Sequence, residues 1–278
     1  MKILVTGANG YLGQGIVTQL ISDGMTVIAT DITVENINKA AIIKPADIFA
    51  LDDPFNYFLQ PDVVLHLAWK NGFIHNDICH IEDISKHYIF IKKLIESGLK
   101  HVAVMGSMHE IGFFEGSINE DTPTNPLCLY GIGKDALRRS LELLIFDEVI
   151  FQWIRGFYIV GNSLHGSSIF SKITAAELKG EKIFPFTTGQ NQWDFLTYSS
   201  FCLQVASIVE QQRETGIINA CSGRPEKLAD CVERFIKENK YKIKLDYGAF
   251  KDRPYDSKAV WGDDKKIKSI LSIHPGRL

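Results

Sequence analysis

The sequence has no hydrophobic run close to the roughly 20 apolar residues that a membrane-spanning helix needs. It has no basic excess either: 30 Lys and Arg stand against 33 Asp and Glu, a net charge of −3. Nucleic-acid binding is therefore not expected. The five cysteines include no C-x-x-C pair, which argues against a disulfide framework and a cysteine-based zinc site. We expect reduced, mostly buried thiols.

The N-terminus also lacks the pattern of a secretory signal. The apolar run at 3–5 is short, and a turn follows it at once, whereas a signal needs a longer apolar segment and a small-residue cleavage site. We therefore expect a cytoplasmic protein. The chain has 278 residues, 45% of them hydrophobic and 23% charged, which is typical of one large or two small globular domains.

Short apolar runs alternate with helical patterns through the first half of the chain. The predicted strands are 2–6, 26–30, 62–68, 101–107 and 149–157. Two of them contain continuous apolar stretches, at 63–65 and 102–105, as in strands buried on both faces of a parallel sheet. Between the strands apolar residues recur with helical spacing, as at Leu12, Ile16 and Leu20. This alternation predicts an α/β fold with a doubly wound parallel sheet.

The alternation weakens after about residue 162, where Gly, Ser and Thr gather at 161–168 and 187–189. A helix is predicted over 169–178 and a further buried strand over 216–222. We predict a main domain over 1–163, to which 193–222 returns. Segments 164–192 and 223–278 are predicted to form a small C-terminal lobe.

A glycine-rich turn, T-G-A-N-G-Y-L-G at 6–13, joins the first strand to the first helix. Gly7 permits the tight turn, Gly10 lets the backbone approach a pyrophosphate, and Gly13 allows close packing of helix and strand. The helix N-terminus offers free N–H groups and the positive end of its dipole to phosphates. This context predicts a Rossmann-type dinucleotide site.

Asp31 ends the second predicted strand, where its carboxylate can accept hydrogen bonds from both hydroxyls of an adenosine ribose. A carboxylate there repels a 2′-phosphate, and no Arg follows it. We therefore expect NAD(H) in preference to NADP(H), and NADP(H) is the alternative cofactor. Asp31 by itself also fits an ordinary turn acid.

Tyr130 and Lys134 stand four residues apart at the start of a helical pattern, so they share one face. A Lys ammonium near a phenol lowers the pKa of the phenol, which can then exchange a proton with a carbonyl or alcohol oxygen. Ser107 ends its strand at the edge where open α/β sheets bind ligands, and it can donate to the same oxygen. Taken alone, the Tyr–Lys spacing also fits two surface neighbours.

Together these motifs resemble the extended short-chain dehydrogenase/reductases, the NAD-dependent epimerase/dehydratase family. The resemblance covers nearly the whole chain. Its further markers are Asp47-Ile48, H-L-A at 66–68, W-I-R-G-F-Y-I-V-G at 153–161, D-F-L at 194–196, G-I-I-N-A-C-S-G at 216–223 and R-P-Y-D at 253–256. The resemblance implies a nucleotide-sugar substrate and catalysis by Ser107, Tyr130 and Lys134. It implies cofactor contacts by Gly7, Asn9, Gly10, Tyr11, Leu12, Gly13, Asp31, Ile32, Asp47, Ile48, Leu67, Ala68, Trp69, Tyr130, Lys134 and Phe157.

Departures from the family pattern narrow the expected reaction. Met108 and His109 stand where the family's 4,6-dehydratases carry an Asp-Glu pair, so dehydration is not expected. Tyr158 replaces an Asn frequent in 4-epimerases, and Trp193 replaces the Arg before D-F. The remaining pattern is most similar to enzymes that reduce nucleotide-linked 4-keto-6-deoxyhexoses, such as makers of 6-deoxytalose, fucose and abequose derivatives. We expect substrate contacts from His109, Tyr158, Trp193 and Arg253, the last as a bidentate partner of the diphosphate.

The expected function is thus NAD(P)H-dependent reduction of a sugar C4 keto group. An NAD-dependent C4 epimerase, which oxidises and re-reduces the same carbon, stays open. A non-catalytic NAD(H) sensor has no need for the Ser, Tyr and Lys set. His109 is open between a second acid/base, a substrate contact and a packing residue. His75, Asp77, Cys79 and His80 lie close in sequence, but their spacing matches no metal pattern and we expect no metal.

Two helical patterns, 84–97 and 132–147, are apolar on more than one face. One face must cover the sheet, and the other suggests an interface. The resemblance implies a homodimer through these helices with two-fold symmetry. It also implies a place in deoxysugar biosynthesis for cell-surface polysaccharides.

Overall fold

The structure is a computed structural model that describes residues 1–145, 148–162, 168–251 and 256–273. Its strands are β1 (Lys2–Thr6), β2 (Thr26–Thr30), β3 (Ile42–Ile43), β4 (Val63–His66), β5 (His101–Ser107), β6 (Gly116–Ile118), β7 (Ile150–Gly156), β8 (Tyr158–Val160), β9 (Ile183–Pro185), β10 (Gln192–Thr197), β11 (Gly216–Ala220), β12 (Pro225–Lys227), β13 (Lys244–Asp246) and β14 (Ala259–Gly262).

The helices are α1 (Tyr11–Ser22), α2 (Pro54–Tyr57), α3 (Cys79–Glu82), α4 (Ile84–Glu96), α5 (Leu129–Leu144), α6 (Ile169–Leu178), α7 (Tyr198–Val209), α8 (Leu228–Glu238) and α9 (Lys265–Ser272). A 3₁₀ turn covers Met108–Glu110. In the described part of the chain, no helix is both long enough and apolar enough to cross a membrane.

The large sheet has seven strands in the order β3-β2-β1-β4-β5-β7-β11, and every pairing is parallel. This order confirms the predicted doubly wound sheet, whose direction of winding reverses between β1 and β4. The predicted bounds of β1, β2, β5 and α6 agree with the structure. The predicted strand 62–68 shortens to β4, and the predicted strand 216–222 ends at Ala220.

Helices cover both faces of this sheet because alternate strand residues point to opposite sides. Ile3 and Val5 pack with residues of α1, α7 and α9 on one face. Leu4 packs with residues of α4 and α5 on the other. Helix α9 therefore packs on the main sheet, although it lies in the segment predicted for the lobe.

The smaller sheet contains β12, β10, β14 and β6 in that order, with β8 also paired to β10. Strand β10 thus lies in this sheet, while β11 from the same predicted returning segment joins the large sheet. A third buried cluster, around Phe170, Phe186 and Phe235, joins α6 and α8. The division into domains stays a proposal.

The cysteines are free thiols in this structure. Cys79, Cys202, Cys221 and Cys231 are buried, and Cys128 is partly exposed. This distribution agrees with the expectation of reduced, mostly buried thiols.

Asp194 on β10 joins the small sheet to the end of the large one. Its fully buried carboxylate accepts backbone N–H bonds from Ser222 at 2.7 Å, Gly223 at 2.9 Å and Gly262 at 3.1 Å. Ser222 and Gly223 follow β11, and Gly262 ends β14. Hydrogen bonds to an ionised acceptor are stronger than neutral ones, so this carboxylate holds three chain segments together.

We expect Asp194→Asn to lower the free energy of unfolding by about 2–4 kcal/mol, because an amide replaces one acceptor oxygen by a donor that faces buried N–H groups. Urea unfolding with an unchanged m-value measures the loss. Asp121→Asn on the exposed surface is the matched control, and we expect a change within about 0.5 kcal/mol there. Equal stability of the two variants would contradict the role of Asp194.

Candidate active site

The glycine-rich turn between β1 and α1 has the predicted geometry. Gly7 has φ +67°, and a Cβ there would lie 2.7 Å from the backbone nitrogen of Ala68. A Cβ on Gly13 would lie 2.2 Å from the carbonyl oxygen of Gly7. Gly10 is the N-cap of α1. Side chains at 7 and 13 would therefore push the turn away from the end of β4 or from the helix. The first N–H groups of α1 are the donors that could hold a phosphate.

Asp31 lies directly against this turn. Its Oδ2 accepts the backbone N–H of Asn9 at 3.0 Å, and its Oδ1 accepts that of Ile32 at 2.8 Å. The backbone N–H of Ala46 donates to the Asp31 carbonyl at 3.2 Å, which brings the segment with Asp47 beside it. Each carboxylate oxygen keeps a lone pair for a ribose hydroxyl, so the geometry fits the adenosine end of a dinucleotide.

The other predicted cofactor residues lie on several segments. Tyr11 and Leu12 open α1, and the Tyr11 ring packs 4.6 Å from that of Tyr198. The backbone N–H groups of Leu67 and Ala68 donate to Thr6, at 3.3 and 3.2 Å. Three further residues differ in exposure: Ile32 is exposed, whereas Ile48 and Phe157 are buried.

Ser107 and Tyr130 meet at the carboxyl end of β5. Ser107 is buried, and a hydrogen bond with its side chain favours the charged form of the Tyr130 phenol. The Ser107 hydroxyl also accepts the backbone N–H of His109 at 3.2 Å. The structure therefore brings together two of the three predicted catalytic side chains at the edge where α/β sheets bind ligands.

The start of α5 is held by close backbone contacts. A Cβ on Gly131 would lie 2.4 Å from the His109 carbonyl oxygen, and one on Gly133 would lie 2.3 Å from the His80 carbonyl oxygen. The backbone N–H of Tyr130 donates to the His75 carbonyl at 2.8 Å. Sequence reasoning gave these two glycines no role, although glycine inside a helix costs roughly 1 kcal/mol and therefore signals such an approach.

Lys134 is buried one helical turn after Tyr130. Its ammonium donates to the Met105 carbonyl at 2.7 Å and lies 3.8 Å from the centre of the Trp69 ring. The distance to the centre of the Tyr130 ring is 5.9 Å. Burial lowers the pKa of Lys134 to about 7, so the ammonium and the neutral amine are both populated near neutral pH.

Burial also controls the pKa of Tyr130. It raises this pKa to about 12, against the opposing hydrogen bond from Ser107. The expectation that Lys134 lowers the pKa of Tyr130 is therefore wrong for this structure. The physical reason is that removal from water penalises both charged forms, the phenolate and the ammonium. Tyr130 is a protonated phenol at neutral pH.

Glu110 supports Ser107 from behind, and sequence reasoning missed it. Its buried carboxylate accepts the backbone N–H of Ser107 at 2.6 Å and the indole N–H of Trp153 at 3.0 Å. Arg155 lies 3.6 Å and Arg138 3.9 Å from the same carboxylate. The signal was present, because S-x-x-E is the sequence of a capping box, and Ser107 and Glu110 form one.

Among the residues that the structure describes, five histidines lie around the site. His66 hydrogen-bonds Thr6 and His87, each at 2.8 Å. The Trp69 indole N–H donates to His80 at 3.0 Å, and the Trp69 ring stacks on that of His87 at 4.6 Å. His87 and His80 had no predicted role there.

His75 and His109 form a separate pair on the other side of Tyr130. Their ring centres are 4.5 Å apart, and they lie 5.5 and 5.9 Å from that of Tyr130. Burial lowers the pKa of His109 to about 4, so it is neutral at physiological pH. The structure thus brings both His109 and His75 to Tyr130, the predicted catalytic tyrosine.

Two further predicted substrate residues lie on the small sheet. The rings of Tyr158 and Trp193 stack at 4.8 Å, and the Trp193 indole N–H donates to the Ser257 carbonyl at 3.1 Å. The predicted diphosphate ligand Arg253 lies outside the described residues.

The buried histidines predict a specific pH dependence of stability. Burial lowers the pKa of His87 to about 3 and that of His109 to about 4, from 6.5. Between pH 6.5 and a pH equal to these lowered pKa values, the unfolded chain binds protons that the folded protein does not. Stability is therefore lost as the pH falls through this window, by about 1.4 kcal/mol per pH unit for each such histidine.

Urea unfolding across this window tests the assignment to His87. We expect the slope of unfolding free energy against pH to be smaller in His87→Asn, because one proton-binding site is lost from the unfolded chain while the amide can still bond His66. The comparison uses slopes, so a lower absolute stability does not affect it. A variant with the wild-type slope would contradict the assignment.

A model of the NAD dependent epimerase/dehydratase family matches residues 3–221. The dTDP-6-deoxy-L-talose 4-dehydrogenase (NAD(+)) of Aggregatibacter actinomycetemcomitans is 39% identical over 269 residues, which cover 94% of this chain and 99% of the relative.

Among solved structures, a UDP-glucose 4-epimerase superposes with a TM-score of 0.83 at 17% identity, over 98% of this chain and 92% of the other. The UDP-glucuronic acid 4-epimerase from Bacillus cereus superposes with a TM-score of 0.79 at 20% identity, over 98% and 93% of the two chains. These likenesses confirm the Rossmann-type fold. Since the family model and the 39% identical relative each match most of its length, the chain belongs to the NAD dependent epimerase/dehydratase family.

Proposed function

We propose that this protein reduces the C4 keto group of a nucleotide-linked 4-keto-6-deoxyhexose with NADH. The observation that carries the proposal is the meeting of Ser107 and Tyr130, which share a hydrogen bond at the sheet edge that also carries the glycine-rich turn. A phenol is protonated at neutral pH, and a protonated acid is the form that ketone reduction needs. The substrate class follows from the relative, whose name describes a dTDP-6-deoxy-L-talose 4-dehydrogenase and which aligns over 94% of this chain.

The residues then have distinct tasks. NADH supplies the hydride that reaches C4. Tyr130 donates its proton to the C4 oxygen, so the carbonyl becomes an alcohol and the phenolate recovers a proton from solvent. The Ser107 hydroxyl donates a hydrogen bond to the same oxygen as negative charge develops on it. We assign Lys134, buried one helical turn after Tyr130, to the ribose of the nicotinamide.

The second candidate is a C4 epimerase, the activity named for a solved structure that superposes on this chain at 17% identity. That similarity shows the fold alone. The 39% identical relative is named as a 4-dehydrogenase, so the reductase has the better support.

The remaining proposals rest on the sequence. We infer that Tyr158, Trp193 and Arg253 contact the sugar nucleotide, and that residues 164–192 and 223–278 belong mainly to the substrate-binding lobe.

A homodimer through α4 and α5 is supported by apolar side chains exposed on these helices, Ile89, Ile132 and Leu143. We further propose a cytoplasmic role in deoxysugar supply for cell-surface polysaccharides.

Tyr130→Phe tests the function directly. The assay mixes protein and NADH with a panel of nucleotide-linked 4-keto-6-deoxyhexoses and follows the loss of reduced nicotinamide absorbance. We expect wild-type consumption with one of them, and a kcat lower by about 10²–10⁴-fold in the variant, because the proton donor is gone. NADH affinity should stay nearly unchanged.

Tyr241→Phe is the control, because its hydroxyl contacts Thr174 away from Ser107. Turnover of Tyr130→Phe at the wild-type rate would contradict the assignment of the acid. If no sugar consumes NADH and denatured protein releases NAD⁺, the epimerase becomes the better proposal, and UDP-hexoses are the next panel.

Asp31→Asn tests the cofactor preference. Removal of the charge should relieve repulsion of a 2′-phosphate and weaken the hydrogen bonds to the ribose hydroxyls. The ratio of kcat/KM for NADH to kcat/KM for NADPH should therefore fall by about tenfold or more. The matched control is Asp52→Asn, an exposed residue outside the predicted cofactor contacts. If Asp31→Asn keeps the wild-type ratio, Asp31 does not select the cofactor.

A further inference from the structure

The pair formed by His75 and His109 has a third neighbour, Cys128. One potential ligand atom from each of these three residues lies within 4.8 Å of the other two, and all three side chains are partly exposed. They come from three different segments: the loop before α3, the 3₁₀ turn after β5 and the N-cap of α5. Only the folded chain brings them together, which is why their sequence spacing shows no metal pattern.

These side chains differ from the other histidines of the site in their partners. His66, His80 and His87 each hydrogen-bond a neighbouring residue. In the described part of the chain, burial and a neighbouring imidazole lower the pKa values of His75 and His109. No hydrogen bond to either side chain contributes to these shifts. Cys128 likewise makes no side-chain capping bond to α5. Two imidazoles and a thiol therefore converge with their ligand atoms available.

Backbone hydrogen bonds already hold His75 and His109 in place. The His75 carbonyl accepts the N–H of Tyr130, and the backbone N–H of His109 donates to the Ser107 hydroxyl. In a tetrahedral zinc site, bonds of about 2.0–2.3 Å place ligand atoms about 3.3–3.6 Å apart. Side-chain rotations that close about 1 Å would reach that geometry without a change of fold.

We propose that His75, His109 and Cys128 form a binding site for Zn²⁺ beside Tyr130, and that occupation of this site inhibits the enzyme. Two nitrogen ligands and one thiolate suit Zn²⁺, and three protein ligands leave a fourth position for water. The ring of His75 stacks on Tyr130, so the bound ion and its water would take up space next to the proton donor. The inhibition rests on the proposed function, whereas the binding does not.

Cobalt binding tests the site without any assay of activity. Chelator-treated protein is titrated with Co²⁺, and near-ultraviolet absorption reports the charge transfer from a thiolate to bound Co²⁺. We expect saturation at one ion per chain in wild type and loss of the band in Cys128→Ser. His75→Gln should weaken binding by about tenfold or more. Cys79→Ser, which removes a nearby thiol outside the group, should retain the band.

The second arm measures inhibition by Zn²⁺ and its reversal by chelator, each relative to the zinc-free rate of the same variant. We expect strong, reversible inhibition of wild type and Cys79→Ser, and resistance in Cys128→Ser. Absence of the cobalt band, its survival in Cys128→Ser, or equal inhibition of all three proteins would overturn the proposal. If no sugar is turned over but the band behaves as expected, the function fails and the metal site stands.

Discussion

The first turn of α5 packs directly against two backbone carbonyl groups, and the position of Tyr130 depends on that close approach. Gly131 and Gly133 make it possible, because a Cβ at either position would lie within 2.4 Å of the carbonyl oxygen of His109 or His80. Two glycines weaken a helix by roughly 1 kcal/mol each. The contacts that these glycines allow place the Tyr130 phenol between the His75 loop and Ser107. The helix is therefore less stable at the point where the site needs a close approach of the backbone.

Glu110 holds the opposite wall of the same site. Its carboxylate binds the backbone of Ser107 and the indole of Trp153, and Arg138 from α5 lies 3.9 Å away. One buried acid therefore connects β5, β7 and α5. Burial strengthens the hydrogen bonds of this carboxylate. Burial also raises the pKa of Tyr130 and lowers the pKa values of Lys134 and His109. Burial therefore favours the neutral forms of these three side chains, which can donate or accept a proton.

Several parts of the molecule were predictable because their signals are local. The alternation of apolar runs and helical spacing predicted the parallel sheet, and the glycines at 7 and 13 predicted the turn that the structure shows. Ser107 and Tyr130 could be named from the strand end and from the family pattern. The same patterns did not reveal Glu110 or His75, although a capping box and a helical glycine pair were present as hints.

The sequence by itself determined the fold class and the glycine-rich turn, and it predicted Ser107, Tyr130 and Lys134 as the reacting side chains, because these signals come from residues close together in the chain. Only the tertiary structure decided the electrostatics of the site. The pKa of Tyr130 depends on burial by segments distant in sequence, and this burial reversed the direction expected from Lys134. The grouping of His75, His109 and Cys128 arises in the same way, since three loops meet there only when the sheet and α5 have packed.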